Sequence, residues 1–285
     1  MRFDRPIVAI LAAALLPGGA AVAAPAGRPE RIMSINLCTD LLLLQLVPRA
    51  RIASVSFLAR DGAGGLFPGL EAGIPTNHGT PEDIVNMQPD LILAADVSTP
   101  VARALARRVG ARVVEVKSAN SFADIRQNLR EVGAVVGEPA RAEALVQRMD
   151  ATLGQLAAQP PRRRARVVAW SGGPAVPGRD TLANAIIDAA GAINVAAQPG
   201  RNYTTFGVEE LLEADPDALL YGRSPSQGPS LEGGEGQHRV VRRLYATRRI
   251  SFDEVASTCG LPQSADAARD LRRALDALPP RGPGR

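Results

Sequence analysis

Glu82-Asp83-Ile84-Val85-Asn86-Met87-Gln88-Pro89-Asp90-Leu91-Ile92-Leu93 and Glu209-Glu210-Leu211-Leu212-Glu213-Ala214-Asp215-Pro216-Asp217-Ala218-Leu219-Leu220 are one phrase written twice. In both, a glutamate opens a helical stretch, a proline ends it, and Asp leads into an apolar strand. A duplicated unit implies two similar lobes, and two lobes imply a cleft between them.

Around the first copy the pattern alternates strand and helix. Residues 31–35, 51–56, 91–94 and 112–116 read as strands, with helices from 41 and over 99–108. Thr39 or Asp40 can cap the helix that begins Leu41-Leu42-Leu43-Leu44, and Thr80 with Pro81 starts the helix of the phrase. Such alternation predicts an α/β fold with a mostly parallel sheet. Residues 121–159 show no strand. Their apolar positions recur at helical spacing, broken at Gly137-Glu138-Pro139, and a helix over 139–158 would be roughly 30 Å long. Its position between two α/β halves favours a stiff connector over an ordinary surface pair. After Pro160-Pro161 the alternation resumes, with strands at 166–170, 218–221 and 250–252 and helices over 181–190, 237–246 and 264–278. The expected organisation is an N-terminal α/β lobe at 30–120, a helical connector at 121–160, a C-terminal α/β lobe at 165–278 and a tail at 279–285.

Residues 1–23 read as a signal peptide: Arg2 and Arg5, an apolar run from Ile7 to Leu16, then Ala21-Val22-Ala23 as a cleavage site. The apolar run is too short to span a bilayer, and no cysteine lies nearby to carry a lipid. About 260 residues remain, enough for two lobes. The formal charge is +4, Lys117 is the only lysine, and no aromatics are interleaved with the basic residues, which argues against nucleic-acid binding. Two cysteines, Cys38 and Cys259, pair in an oxidising compartment or remain separate thiols; the sequence leaves both open.

The signatures of common catalytic sites are missing. There is no G-x-x-x-x-G-K-[ST], no G-x-G-x-x-G opening a βα unit and no G-x-S-x-G elbow. His78 and His238 are the only histidines, and they and the cysteines lack zinc-site spacing. The chain therefore reads as a binder, not an enzyme. What remains is a set of residues at the carboxyl ends of the strands, where open α/β sheets hold ligands: Asn36, Cys38, Phe57, Asn77, His78 and Asp96 in the first half, Trp170, Tyr203, Arg223 and Cys259 in the second. Each alone is as consistent with packing or turn formation. Together they describe a cleft with flat apolar walls and a few polar groups.

From Arg31 to about Leu278 the chain resembles the periplasmic binding proteins that serve vitamin B12, ferric-siderophore and haem ABC importers. The resemblance rests on Arg31-Ile32-Met33-Ser34-Ile35-Asn36, the two E-x6-P-D phrases, the helical middle from Gly133 to Gln159, and Thr258-Cys259-Gly260. It implies two α/β lobes joined by a long rigid helix, with small closure motions and the ligand in the cleft. It also implies a soluble periplasmic subunit, a monomer, that captures a metal chelate (cobalamin or a ferric siderophore) without covalent cofactor or resident metal and delivers it to an inner-membrane permease dimer. Glu82 and Glu209 match the glutamates that dock onto permease arginines in that family, although glutamate is favourable at any helix start. Arg60, Arg201, Tyr203 and Arg223 are candidates for a siderophore, His78 and Tyr203 for haem iron, and Trp170 for a flat corrin. An exported α/β enzyme and a structural or adhesive domain are the readings from other classes.

Overall fold

The structure, a computed structural model, describes residues 27–60, 66–67, 69–96, 111–170, 175–222 and 239–279. The expected signal peptide, the helix over 99–108, Arg223 and most of the tail fall outside them. The first half supplies β1 (Ile32–Ser34), β2 (Ile52–Ser56), β3 (Thr76–Asn77), β4 (Leu91–Ala95) and β5 (Arg112–Val116), all parallel, in the order β3-β2-β1-β4-β5. The second half supplies β6 (Arg166–Ala169), β7 (Ala175–Pro177), β8 (Ile193–Asn194), β9 (Tyr203–Thr205), β10 (Ala218–Gly222) and β11 (Arg249–Phe252). Four of these form a second parallel sheet in the order β11-β10-β6-β8, and β7 and β9 make a separate antiparallel pair.

The two sheets are wound alike. β2-β1-β4-β5 of the first corresponds to β8-β6-β10-β11 of the second, and the register agrees: Ile32 sits opposite Leu91, Val167 opposite Ala218. Central strands β1 and β4 are buried along their whole length, as apolar runs covered on both faces must be.

The described helices are α1 (Leu37–Leu46), α2 (Pro81–Met87), α3 (Phe122–Val135), α4 (Pro139–Ala158), α5 (Leu182–Ala189), α6 (Val208–Ala214), α7 (Arg239–Leu244), α8 (Glu254–Thr258) and α9 (Ser264–Asp276). α1 starts earlier than its sequence suggests. Asn36, not Thr39 or Asp40, is the cap, accepting from Cys38 N–H at 2.9 Å. Asp40 is thereby free to bond Ser56 on β2, and Thr39 to bond Ser34 and Asn36, in a helix buried from Thr39 to Leu46.

The middle is helical throughout. Ser121 caps α3, Pro139 opens α4, and α4 has 20 residues. α3 and α4 touch closely at Gly133, where a Cβ would stand 2.4 Å from Ala142 Cβ. Buried Arg51 binds this connector to the first lobe, donating to Val136 O at 2.6 Å and pairing with Glu138 at 2.9 Å. One apolar core runs from α1 through α3 and α4 to α5 and α9, so the lobes share it. On the opposite faces each sheet has a small core of its own: Met33, Ile84 and Ile92 in the first, Val168, Leu211 and Leu219 in the second.

Candidate docking surface and ligand cleft

The duplicated phrase folds the same way twice. α2 and α6 each end in a left-handed residue before the proline, Gln88 (φ 45°) and Asp215 (φ 40°). Ile84 and Leu211 are the buried anchors. The aspartate after each proline holds the start of a neighbouring strand. Asp90 Oδ2 accepts from Arg31 N–H at 3.1 Å, and Asp217 Oδ2 from Arg166 N–H at 2.8 Å. Those two arginines reach back to the helix ends, Arg31 to Met87 O (2.5 Å) and Arg166 to Ala214 O (2.9 Å). Each helix is thus locked to its sheet at one end by an arginine on its last carbonyls, where a cation is also favoured by the dipole.

At the other end the second acidic residue is consumed locally. Asp83 Oδ2 accepts from His78 N–H (2.8 Å) and Thr80 N–H (3.2 Å), and Glu210 Oε2 from Gly207 N–H (2.8 Å). Burial raises the Asp83 carboxyl somewhat, but these bonds outweigh it and hold it below its usual value. The bonds to backbone N–H groups at its own helix start hold Glu210 low as well. Glu82 and Glu209, one residue earlier, point into solvent on both lobes.

The cleft residues divide sharply. Phe57 and His78 follow the adjacent strands β2 and β3, and their rings stack at 4.9 Å with planes 21° apart. Phe57 remains 44% exposed, so the pair offers an aromatic face at the carboxyl edge of the first sheet. Tyr203 on β9 is 64% exposed, and Arg60 and Arg201 are exposed. Asp96 is exposed but engaged, accepting from Ser118 N–H (3.0 Å) and Oγ–H (2.8 Å).

Three expectations are corrected. Trp170 is fully buried and donates Nε1–H to Phe206 O at 3.0 Å, so it fills the second lobe's core instead of walling a cleft. Asn77 is fully buried and satisfied, donating to Ser34 O and Ser54 Oγ, both at 2.9 Å, and accepting from Gly79 N–H. Asn36 is half-buried and commits its Oδ1 to the cap of α1, which leaves its place in a ligand site open. Cys38 and Cys259 are bonded to each other with Cα atoms 4.7 Å apart, so neither offers a thiol to a ligand. The bond ties the first turn of α1 to the C-terminal end of α8, and Gln263 Nε2 donates to Gln45 Oε1 at 2.9 Å as a second link between the halves. Gly260 makes the junction possible: its φ is +61° and a Cβ there would stand 2.5 Å from Ala119 Cβ.

The sequence reading overlooked Asp40. It is buried, accepting from Ser56 N–H (3.0 Å) and Ser56 Oγ–H (2.5 Å) at the end of β2. Burial pushes its carboxyl up to about 6, against the lowering effect of bonds from Ser34 and Ser56. A lone carboxylate ahead of four leucines was the available signal, since such a group needs a partner.

Among the described residues no three His, Cys, Asp or Glu side chains cluster so as to hold a metal, and no helix is long and apolar enough to cross a membrane. Comparison with known proteins is consistent with this architecture. The family model described as periplasmic binding protein matches residues 73–246. A cobalamin-binding protein of Halobacterium salinarum is 26% identical over 206 residues, 69% of this chain; the chain spans about half (54%) of that relative's length. Among solved structures, the periplasmic heme-binding protein RhuT from Roseiflexus sp. RS-1 superposes with TM-score 0.71 at 23% identity, covering 87% of this chain and 98% of that one. The periplasmic vitamin B12 binding protein BtuF of Vibrio cholerae superposes with TM-score 0.65 at 17% identity, covering 87% and 97%.

Proposed function

This chain belongs to the periplasmic binding protein family, and from that premise we propose that it is the substrate-binding subunit of an ABC importer for a metal chelate. It is exported behind residues 1–23 as a cleaved leader and works in the periplasm as a monomer. It holds its ligand between the lobes without converting it, and delivers it to a permease dimer that supplies the energy through its ATPase. The observation that carries the reading is the pair of exposed glutamates, Glu82 and Glu209, set at equivalent points on two similarly wound lobes. Carboxylates held that way suit bidentate pairing with one arginine on each half of a two-fold partner.

Cobalamin is the first ligand to test, on the strength of the Halobacterium relative, with a ferric siderophore beside it. With Trp170 buried, the flat wall for a macrocycle falls to the stacked Phe57 and His78. Haem is the second reading, favoured by the exposure of His78 in the first lobe and Tyr203 in the second, both residue types that ligate iron. Purified protein incubated with cyanocobalamin, hemin or ferrichrome and then freed of excess ligand is expected to retain a corrin absorbance band. A retained Soret band would transfer the assignment to haem, and retention of nothing would overturn the chelate reading. The glutamates are tested separately. Glu82→Ala with Glu209→Ala should abolish uptake and leave ligand affinity unchanged. Intact uptake would refute docking by these residues.

A further inference from the structure

The duplicated helices repeat one more feature. Val85 and Leu212 occupy the same place in the phrase, and they are 55% and 45% exposed. They lie three residues after Glu82 and Glu209, which puts each aliphatic side chain beside its glutamate on one helix face. The next inward positions, Ile84 and Leu211, are fully buried, so the core of each lobe is complete without them. A single exposed aliphatic residue needs no explanation. Two at matched positions, each next to a solvent-facing glutamate and each on a helix fixed to its sheet by an arginine latch, form a patch presented twice in the same way.

Resting on the docking role proposed for the two glutamates, we infer that Val85 and Leu212 are the apolar half of that same interface. The partner is a two-fold symmetric membrane protein that presents on each half an arginine flanked by an apolar surface. Charge complementarity assigns the arginine to Glu82 or Glu209, since Asp83 and Glu210 are bound to their own helix starts. The aliphatic groups exclude water from the ion pair, which strengthens it relative to an exposed one. Ligand affinity is independent of either residue.

The test uses the full exported protein and inner-membrane vesicles from the organism that makes it. A photocrosslinking amino acid at position 85 or 212 should yield an adduct that mass spectrometry identifies as an ABC permease subunit. The same group at Ile193, exposed elsewhere on the second lobe, should not. Val85→Ser with Leu212→Ser should weaken vesicle binding about tenfold, leave chelate retention and melting temperature unchanged, and be rescued by Val85→Ile with Leu212→Ile. If the serine pair binds within twofold of wild type while Glu82→Ala with Glu209→Ala fails to bind, the apolar contact is refuted and glutamate docking survives. If both pairs bind normally, both fall. Adducts to a second copy of this chain, or to a protein other than a permease, refute the partner.

Discussion

Asp40 is a carboxylic acid enclosed between α1 and β2, with its acceptors met by Ser56. Its pKa of about 6 in the fold lies above the 3.8 of the unfolded chain. The folded state therefore holds the proton more tightly, and the stability this contributes is full below about pH 3.8 and lost as the pH rises through 6. A shift of about two units corresponds to about 3 kcal/mol. Asp40→Asn keeps both bonds, with the amide accepting from Ser56 N–H and donating to Ser56 Oγ. Urea unfolding between pH 4 and 7 should show a decline in wild type that the variant lacks; parallel slopes would contradict the assignment.

At the scale of the element, the helix-to-strand phrase is held by a reciprocal grip: aspartate on the start of one strand, arginine on the end of the preceding helix. The two copies differ in burial. Asp217 is buried and also accepts from Arg163 Nη1 at 2.9 Å, whereas Asp90 is exposed. Asp217→Ala should cost about 2–3 kcal/mol, and Asp90→Ala about 1 kcal/mol, by chemical denaturation. Equal losses would show that burial does not set the difference. The helix-stopping proline and the following strand were legible in the sequence because both are local. The task of the aspartate was not, because its partners Arg31 and Arg166 lie far away in the chain. α1 was placed late because Thr39 and Asp40 are good caps by type, yet Thr39 bonds its neighbours Ser34 and Asn36, and Asp40 bonds the more distant Ser56. Trp170 looked like a cleft aromatic because it follows β6, but Phe206 O, well along the chain, draws it inside. Short β3, β7, β8 and β9 have too few residues to show a period.

At the scale of the molecule, two lobes share one core along α3, α4, α5 and α9 and are joined again by Cys38–Cys259. The duplication, the alternation and the helical middle made this architecture readable from sequence. The pairing of the cysteines was not, since nothing local to either cysteine reports on their separation in space. With a sequence separation of 221 between them, the bond restricts the unfolded chain strongly; loop-closure entropy puts its contribution at about 5 kcal/mol. Cys38→Ser with Cys259→Ser should lower unfolding stability by about 3–5 kcal/mol, and reductant should lower the wild type by the same amount while leaving the variant unaffected. No difference between them would mean the thiols are free in solution.

That bond also makes the chain between Cys38 and Cys259 a covalent ring that includes the connector and nearly all of both sheets. A protease that nicks any one loop in the ring opens it without setting a piece free. Both fragments stay tied, the shared core holds them in register, and the nick becomes visible only on a reducing gel. The chain thus keeps its form through a first wound.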